Sequence, residues 1–331
     1  MQNTSYLSKK LAILLAVLFF IPLTANAQTA SDFPNKPIQI IVGWSAGASD
    51  DLRARALAPK LGEVLGQPVV VVNKPGAAGT LSLSLVAKSK PDGYTLVSAS
   101  TSPVIFAPHI QKVEYNPLTD FTYIAGTAAQ PWGIVVRSDA PWKTLGELIE
   151  YIKNNPGKVK YGSWGIGGGA HVYMEILGKA RELNWVHVPF KGDAPSLTAL
   201  LGGHIPVALT SASFVPHAKA GKLRPLAIIA ETRMPVFPET PTLKELGFDF
   251  DLRVSGVLGF CGPKGLPPEV LRKLENAFRQ AVESDENKQV MERMDSEAKF
   301  RTSQEFTQLI QELYPRIGAI IKQLGLSPPE K

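Results

Sequence analysis

Twice along this chain an apolar run ends in a glycine-rich polar turn that opens onto a helical pattern. The first is Ile38–Val42, then Gly43-Trp44-Ser45-Ala46-Gly47-Ala48-Ser49-Asp50-Asp51, then a helix from about Leu52. The second is residues 158–161, then Gly162-Ser163-Trp164-Gly165-Ile166-Gly167-Gly168-Gly169-Ala170, then a helix from about His171. A continuous apolar run, rich in β-branched residues and followed by a helix, reads as a strand of a parallel sheet whose crossovers are helical. The alternation continues after the first turn with helix 52–65, strand 69–72, helix 81–88 and strand 94–99. An irregular proline-rich stretch follows at 103–120. The pattern then restarts with strand 133–136, helix 145–154 entered through Thr144, strand 158–162, helix 171–181, strand 185–189 and helix 194–201. Strands 207–210 and 226–229 come next, then a return through 254–260 and helices at 268–282, 287–294 and 303–324.

These elements predict an α/β fold of two doubly wound lobes with parallel sheets. Residues 28–133 plus 254–331 make one lobe, and 134–253 the other. The last helices have no sheet of their own and are placed on the first lobe. A chain that crosses twice between lobes makes a hinge.

The segment 1–27 reads as a cleaved secretory signal. Lys9 and Lys10 precede an apolar run from Leu11 to Ile21, and Ala25-Asn26-Ala27 supplies a small-residue cleavage site. No cysteine follows that run, so no lipid anchor is expected, and the mature chain starts at Gln28. Losing the two lysines lowers the formal charge of +6 by two. That mild excess suits an anionic ligand and excludes a nucleic-acid stripe. Cys261 is the single cysteine, so no internal disulfide is expected, and it reads as a packing residue.

Both turns face the chain toward anions. A helix N-terminus carries amides without intrahelical partners and roughly half a positive charge, and small residues let an anion approach them. Two sharper motifs compete with that reading. Gly43-Trp44-Ser45-Ala46-Gly47 matches the G-x-S-x-G nucleophile elbow, which would make the protein a secreted serine esterase using Ser45. Against it, the strand is the first of the mature chain, where the elbow belongs to a central one. Gly165–Ala170 matches a dinucleotide fingerprint, with Asp193 downstream, but an exported protein meets little nicotinamide cofactor. No cofactor is expected. The histidines lack metal-ligand spacing, so no metal is expected either. His171, opening the second helix, is the histidine best placed to face a ligand. Asp50 and Asp51 read as helix-capping residues, because a carboxylate repels an anion. Trp44 and Trp164, one in each turn, point to a ligand with an aromatic or apolar tail.

An ordered set of motifs extends over the mature chain. Val42-Gly43-Trp44-Ser45-Ala46-Gly47-Ala48-Ser49-Asp50-Asp51-Leu52-Arg53-Ala54-Arg55 resembles the V-P-F-P-P-G-G-S-T-D-x-x-A-R opening of the tripartite tricarboxylate transporter substrate-binding proteins, the Bug family of bacterial periplasmic receptors. Leu65-Gly66-Gln67-Pro68-Val69-Val70-Val71-Val72-Asn73-Lys74-Pro75-Gly76 continues the match. So do Pro91-Asp92-Gly93-Tyr94, Asp120-Phe121 and His187-Val188-Pro189-Phe190-Lys191-Gly192. The resemblance implies a periplasmic binding protein of type II-like build, which performs no chemistry. Such a receptor carries a small carboxylate between its lobes to the membrane permease subunits of a transporter, and is expected to be a monomer. It implies a ligand held by main-chain amides and ordered water. The implied residues are Ser45, Gly47, Ala48, Ser49 and Asp51 in one lobe, and Ser163, Gly165, Gly167, Gly168, Ala170 and His171 in the other. Trp44 and Trp164 flank them, and Lys191 and Gly192 lie nearby. Gly43, Ser45 and Ala46 stand where the family has prolines, and Ala48 where it has glycine. Those departures bear on which carboxylate is bound.

Overall fold

A computed structural model describes residues 32–230, 232–248, 254 and 257–327. The expected signal segment 1–27 and residue 253 at the expected second crossing lie outside the described residues. Pro34–Lys331 carries two mixed sheets.

The first sheet contains β1 (Ile38–Val42), β2 (Val69–Asn73), β3 (Thr95–Ser100) and β4 (Phe121–Ala129). The second contains β5 (Trp132–Arg137), β6 (Lys160–Ser163), β7 (Val186–Pro189), β8 (Val207–Thr210) and β9 (Leu223–Ile229). The chain then returns to the first sheet with β10 (Leu258–Pro263) and β11 (Glu297–Arg301). The strand orders are β11-β4-β10-β3-β1-β2 and β7-β6-β8-β5-β9. Strand β1 is parallel to both neighbours, with Ile40 opposite Val71 and Leu96. In the second sheet β6 is parallel to β7 and β8.

The parallel pairing expected from the β-α-β alternation holds around β1 and β6, and the strands that bracket the crossings add antiparallel pairs. Strand β10 runs antiparallel to β3 and β4, and β5 runs antiparallel to β8 and β9. Each enters its sheet from the other one instead of over a crossover helix, so it arrives from the opposite end. The first change of sheet falls at Gln130-Pro131, which puts Trp132 and Gly133 in the second sheet.

Helices α1 (Ser49–Leu65), α2 (Thr80–Ala87), α3 (Leu145–Asn154), α4 (Gly169–Ala180) and α5 (Asp193–Leu201) follow strands or loops. The C-terminal helices are α6 (Pro268–Glu283), α7 (Asp285–Arg293) and α8 (Ser303–Gln323). Helix α3 starts where Thr144 caps it, its hydroxyl accepting from the Glu147 amide. Helix α8 opens on a full capping box of Thr302 and Glu305. Helices α1 and α4 begin at Ser49 and Gly169, a few residues earlier than the apolar periodicity predicts. Their caps, Ala48 and Gly168, hold ψ near 159° and 157°, and the small residues after them turn helical at once. Helix α6 packs on α1, and α8 packs on β4. One apolar cluster runs from Ile41 and Val97 through Phe106 to Ile134, Tyr161 and Tyr173, so the two sheets share a core. Among the described residues no helix is long and apolar enough to cross a membrane.

Candidate functional site

The first turn is organised by Asp51. Its buried carboxylate accepts from the Gly47 amide at 2.9 Å, from Asn73 Nδ2 at 2.8 Å and from Arg55 Nε at 3.0 Å. Asn73 closes β2 and also donates to the Trp44 carbonyl at 3.0 Å, so the turn is pinned to the neighbouring strand end. Gly47 sits at φ 82°, a conformation that suits glycine. Burial alone would push the Asp51 carboxyl up. The hydrogen bonds from Arg55, Gly47 and Asn73 outweigh it and hold the group below its usual range.

The second turn is organised by rings and hydroxyls. Ser163 is fully buried, and its hydroxyl lies 2.7 Å from His187 Nε2 while accepting the Gly165 amide at 3.2 Å. His187 stacks on His171 at 4.2 Å, and the Gly167 amide donates to His171 Nδ1. That contact makes Nδ1 an unprotonated acceptor. Trp164 is buried and meets Trp132 edge-on at 5.2 Å. The run of glycines serves close approach: a Cβ on Gly168 would sit 2.7 Å from the Trp164 ring, and one on Gly169 2.5 Å from the Trp132 ring.

The two turns meet at the end of β3. Trp44 Nε1 donates to Ser100 Oγ at 3.2 Å. Two residues on, Ser102 Oγ accepts from Trp164 Nε1 at 3.2 Å and from the Gly169 amide at 3.1 Å. The first turn, through the Trp44 indole, and the α4 N-terminus, through the Gly169 amide, therefore converge on one serine-bearing strand end, the region where α/β sheets bind ligands.

Within each turn the amides divide into two groups. Those of Gly47, Ala48, Gly165, Gly167, Gly168 and Gly169 donate inside the protein. Those of Ser49 and Asp50 in α1, and of Ala170 and His171 in α4, find no acceptor among the described residues. Ser45 is exposed, and its carbonyl accepts the Ala48 amide, closing the turn. Ser49 Oγ accepts from Gln130 Nε2 at 3.3 Å. Lys191 is exposed just beyond β7, and Gly192 at φ 117° leads into α5. The preceding Phe190 carbonyl borders Gly165, which brings this segment beside the second turn.

The esterase reading fails on geometry. Among the described residues no histidine bonds Ser45: His109 meets the Tyr314 carbonyl, and His171 of α4 stacks on His187 of β7. The indole N–H groups of Trp44 and Trp164 are both directed at serines, Ser100 and Ser102. Among the described residues no group of three or more His, Cys, Asp or Glu is placed to hold a metal. Cys261 is buried, and burial pushes its thiol well up. Sequence reasoning missed Asn73, Ser100, Ser102, Arg53 and Gln130 as site-building residues. The one available signal was the run Ser98-Ala99-Ser100-Thr101-Ser102, hydroxyls crowded at a strand end.

The histidine pair sets a pH dependence. Burial, reinforced by the charge of His171, lowers His187 from 6.5 to about 4, and burial also lowers His171. Between those two pH values the unfolded chain binds more protons, so the stabilisation is complete above pH 6.5 and is lost as pH falls toward 4. The melting temperature of the wild type is expected to fall across that window. His187→Gln should flatten the fall, and an unchanged slope in the variant would refute the assignment.

A model of the tripartite tricarboxylate transporter family receptor matches residues 53–326. A protein of Cupriavidus necator, described as a UPF0065 protein in the gbd 5' region, is 37% identical over 99% of each chain. Among solved structures, MatC of Rhodopseudomonas palustris with bound malate aligns at TM-score 0.78 and 28% identity, covering 87% of this chain and all of that one. An R. palustris protein with adipate aligns at TM-score 0.80 and 26% identity, covering 90% and 100%.

Proposed function

The chain belongs to the tripartite tricarboxylate transporter family of receptors, and from that premise we propose that it is a periplasmic receptor for a small carboxylate. The convergence of the first turn, through the Trp44 indole on Ser100, and of the α4 N-terminus, through the Gly169 amide on Ser102, carries the reading. The solute's carboxylate is held by the Ser49 and Asp50 amides on one side and the Ala170 and His171 amides on the other. The Ser45 hydroxyl lies at the exposed rim, and Lys191 adds positive charge nearby. Gly47, Gly165, Gly167 and Gly168 shape the turns, Ala48 caps α1, and Asp51 and Ser163 brace them. Trp44 and Trp164 act as walls between lobes. The receptor does no chemistry, and it delivers its solute to the membrane subunits of a transporter. It reaches the periplasm through a signal peptide removed after Ala27, and it works as a monomer of two lobes, the chain first passing between them at Gln130-Pro131.

Neutral donors suffice. Micromolar affinity needs about 8 kcal/mol, and hydrogen bonds to a charged group contribute roughly 1.5–3 kcal/mol each. Four amides reach that range before ordering costs, and closure strengthens each bond by excluding water. The similar structures hold malate and adipate, so a dicarboxylate is the favoured class.

A thermal-shift panel of mono-, di- and tricarboxylates tests this. A dicarboxylate at a hundred times its Kd stabilises by about 2.7 kcal/mol, which should raise the melting temperature by roughly 5 °C. Failure of every acid in the panel to move the melt would remove the reading.

A further inference from the structure

Beneath the first turn lies a polar chain that the anion site does not require. Arg53, on the first exposed-to-buried turn of α1, is only 4% exposed. Its guanidinium bonds Asp50 Oδ1 on one side and Gln130 Oε1, at 2.9 Å, on the other. The same Gln130 donates from Nε2 to Ser49 Oγ at 3.3 Å. Gln130, itself 4% exposed, directly follows Ala129, the last residue of β4, where the chain crosses through Pro131 to β5. One side-chain amide thus joins the start of α1 to the crossing itself. Among the described residues Asp50 Oδ2 and Ser98 Oγ have no hydrogen-bond partner and line a cavity of about 10 Å³ under α1, so Arg53 is the group that holds the Asp50 carboxylate. The family pattern carries threonine where this chain has Asp50 and leaves the position of Arg53 open.

A buried ion pair is a poor source of stability, because the attraction is offset by desolvation; its attested use is to fix one geometry against others. Resting on the solute reading above, we propose that Arg53 and Gln130 are positioning residues that couple the anion-binding turn of α1 to lobe closure. Hinge motion changes the backbone at 130–131 and carries the Gln130 amide with it. In one lobe arrangement that amide braces Ser49 and Arg53 from below. In the other it releases them, and the Ser49 and Asp50 amides lose their fixed direction. A solute that needs those amides therefore favours the braced arrangement.

The test measures the interlobe distance distribution by electron–electron double resonance, with spin labels at Lys153→Cys on α3 and Arg272→Cys on α6. It is run first on ligand-free protein, then with malate and with adipate. Gln130→Met, which removes both bonds, is expected to shift the ligand-free distribution and to weaken the bound acid about tenfold, mainly through a faster off-rate. Gln130→Glu, which keeps the acceptor for Arg53, is expected to restore the wild-type distribution. A merely structural role would lower the melt of both variants without moving the distances. Unchanged distances in Gln130→Met, with a native circular dichroism spectrum, overturn the proposal. The solute reading fails separately, if the labelled wild type binds neither these acids nor any in the panel. A shift in the ligand-free variant would still establish the link to the crossing.

Discussion

Replacing Asp51 by alanine is expected to raise the solute Kd about a hundredfold and to lower stability by about 3 kcal/mol. The side chain joins three elements: the Gly47 amide of the turn, Arg55 of α1 and Asn73 at the end of β2. Each bond is charge-assisted, and alanine leaves the Gly47 and Asn73 donors without the acceptor they share. Asn73 then loses one of two contacts that hold the turn, the other being the Trp44 carbonyl. The turn loosens, and the amides at the start of α1 lose direction with it. Asp51→Asn should fall between, since one acceptor oxygen survives but an NH2 now faces two donors. The pH dependence has a definite sign. The folded carboxyl titrates below its ordinary value of 3.8, so its stabilisation is complete above that value and is lost as pH falls through the lowered one. The gap between wild type and Asp51→Ala in urea unfolding should therefore be wide at pH 7 and shrink progressively as pH falls below 3.8. Calorimetric titration of Asp51→Ala giving wild-type affinity would show that the turn does not depend on this carboxylate.

How far the sequence reveals such features depends on how local they are. The strand-turn-helix units are legible because a β-branched run, a glycine turn and an apolar periodicity lie in one window. Helix α3 is legible to its first residue, since Thr144, three before Glu147, accepts the Glu147 amide while the Glu147 carboxylate accepts the Lys143 amide. Strand β4 is not legible. Its second half, Ala125-Gly126-Thr127-Ala128-Ala129, is buried up to Ala128 between β10 and β11 and consists of small residues with no period. Strand direction is likewise invisible locally, since β10 reads as any apolar run until its partners are known. The site divides along the same line. Gly47 and Gly168 announce themselves, whereas Ser100 and Ser102 matter only because two distant tryptophans reach them. The G-x-S-x-G match misleads for the complementary reason. The pattern is local, while the histidine it needs must come from elsewhere in the fold.

The second large effect is expected at Gly169. Gly169→Val should cost about 3 kcal/mol of stability and weaken solute binding about a hundredfold. The backbone is not the obstacle, because Gly169 is the first residue of α4 and has no positive φ. The obstacle is space: a Cβ there would lie 2.5 Å from Trp132 Cη2, 2.8 Å from Cζ3 and 3.2 Å from Phe106 Cε2. Trp132 cannot retreat easily, because Trp164 and Tyr173 meet it edge-on at 5.2 and 5.6 Å. The start of α4 must move instead, which breaks the Gly169 amide bond to Ser102 and displaces the Ala170 and His171 amides. Gly146 in α3 provides the contrast. A Cβ there meets only Thr144 Oγ1, at 3.7 Å, so Gly146→Ala should leave binding unchanged and stabilise by about 0.5–1 kcal/mol. If the clash with Trp132 is the cause, Gly169→Ala combined with Trp132→Leu should unfold at a higher urea concentration than the sum of the single losses allows. A strictly additive cycle would place the damage elsewhere in the turn.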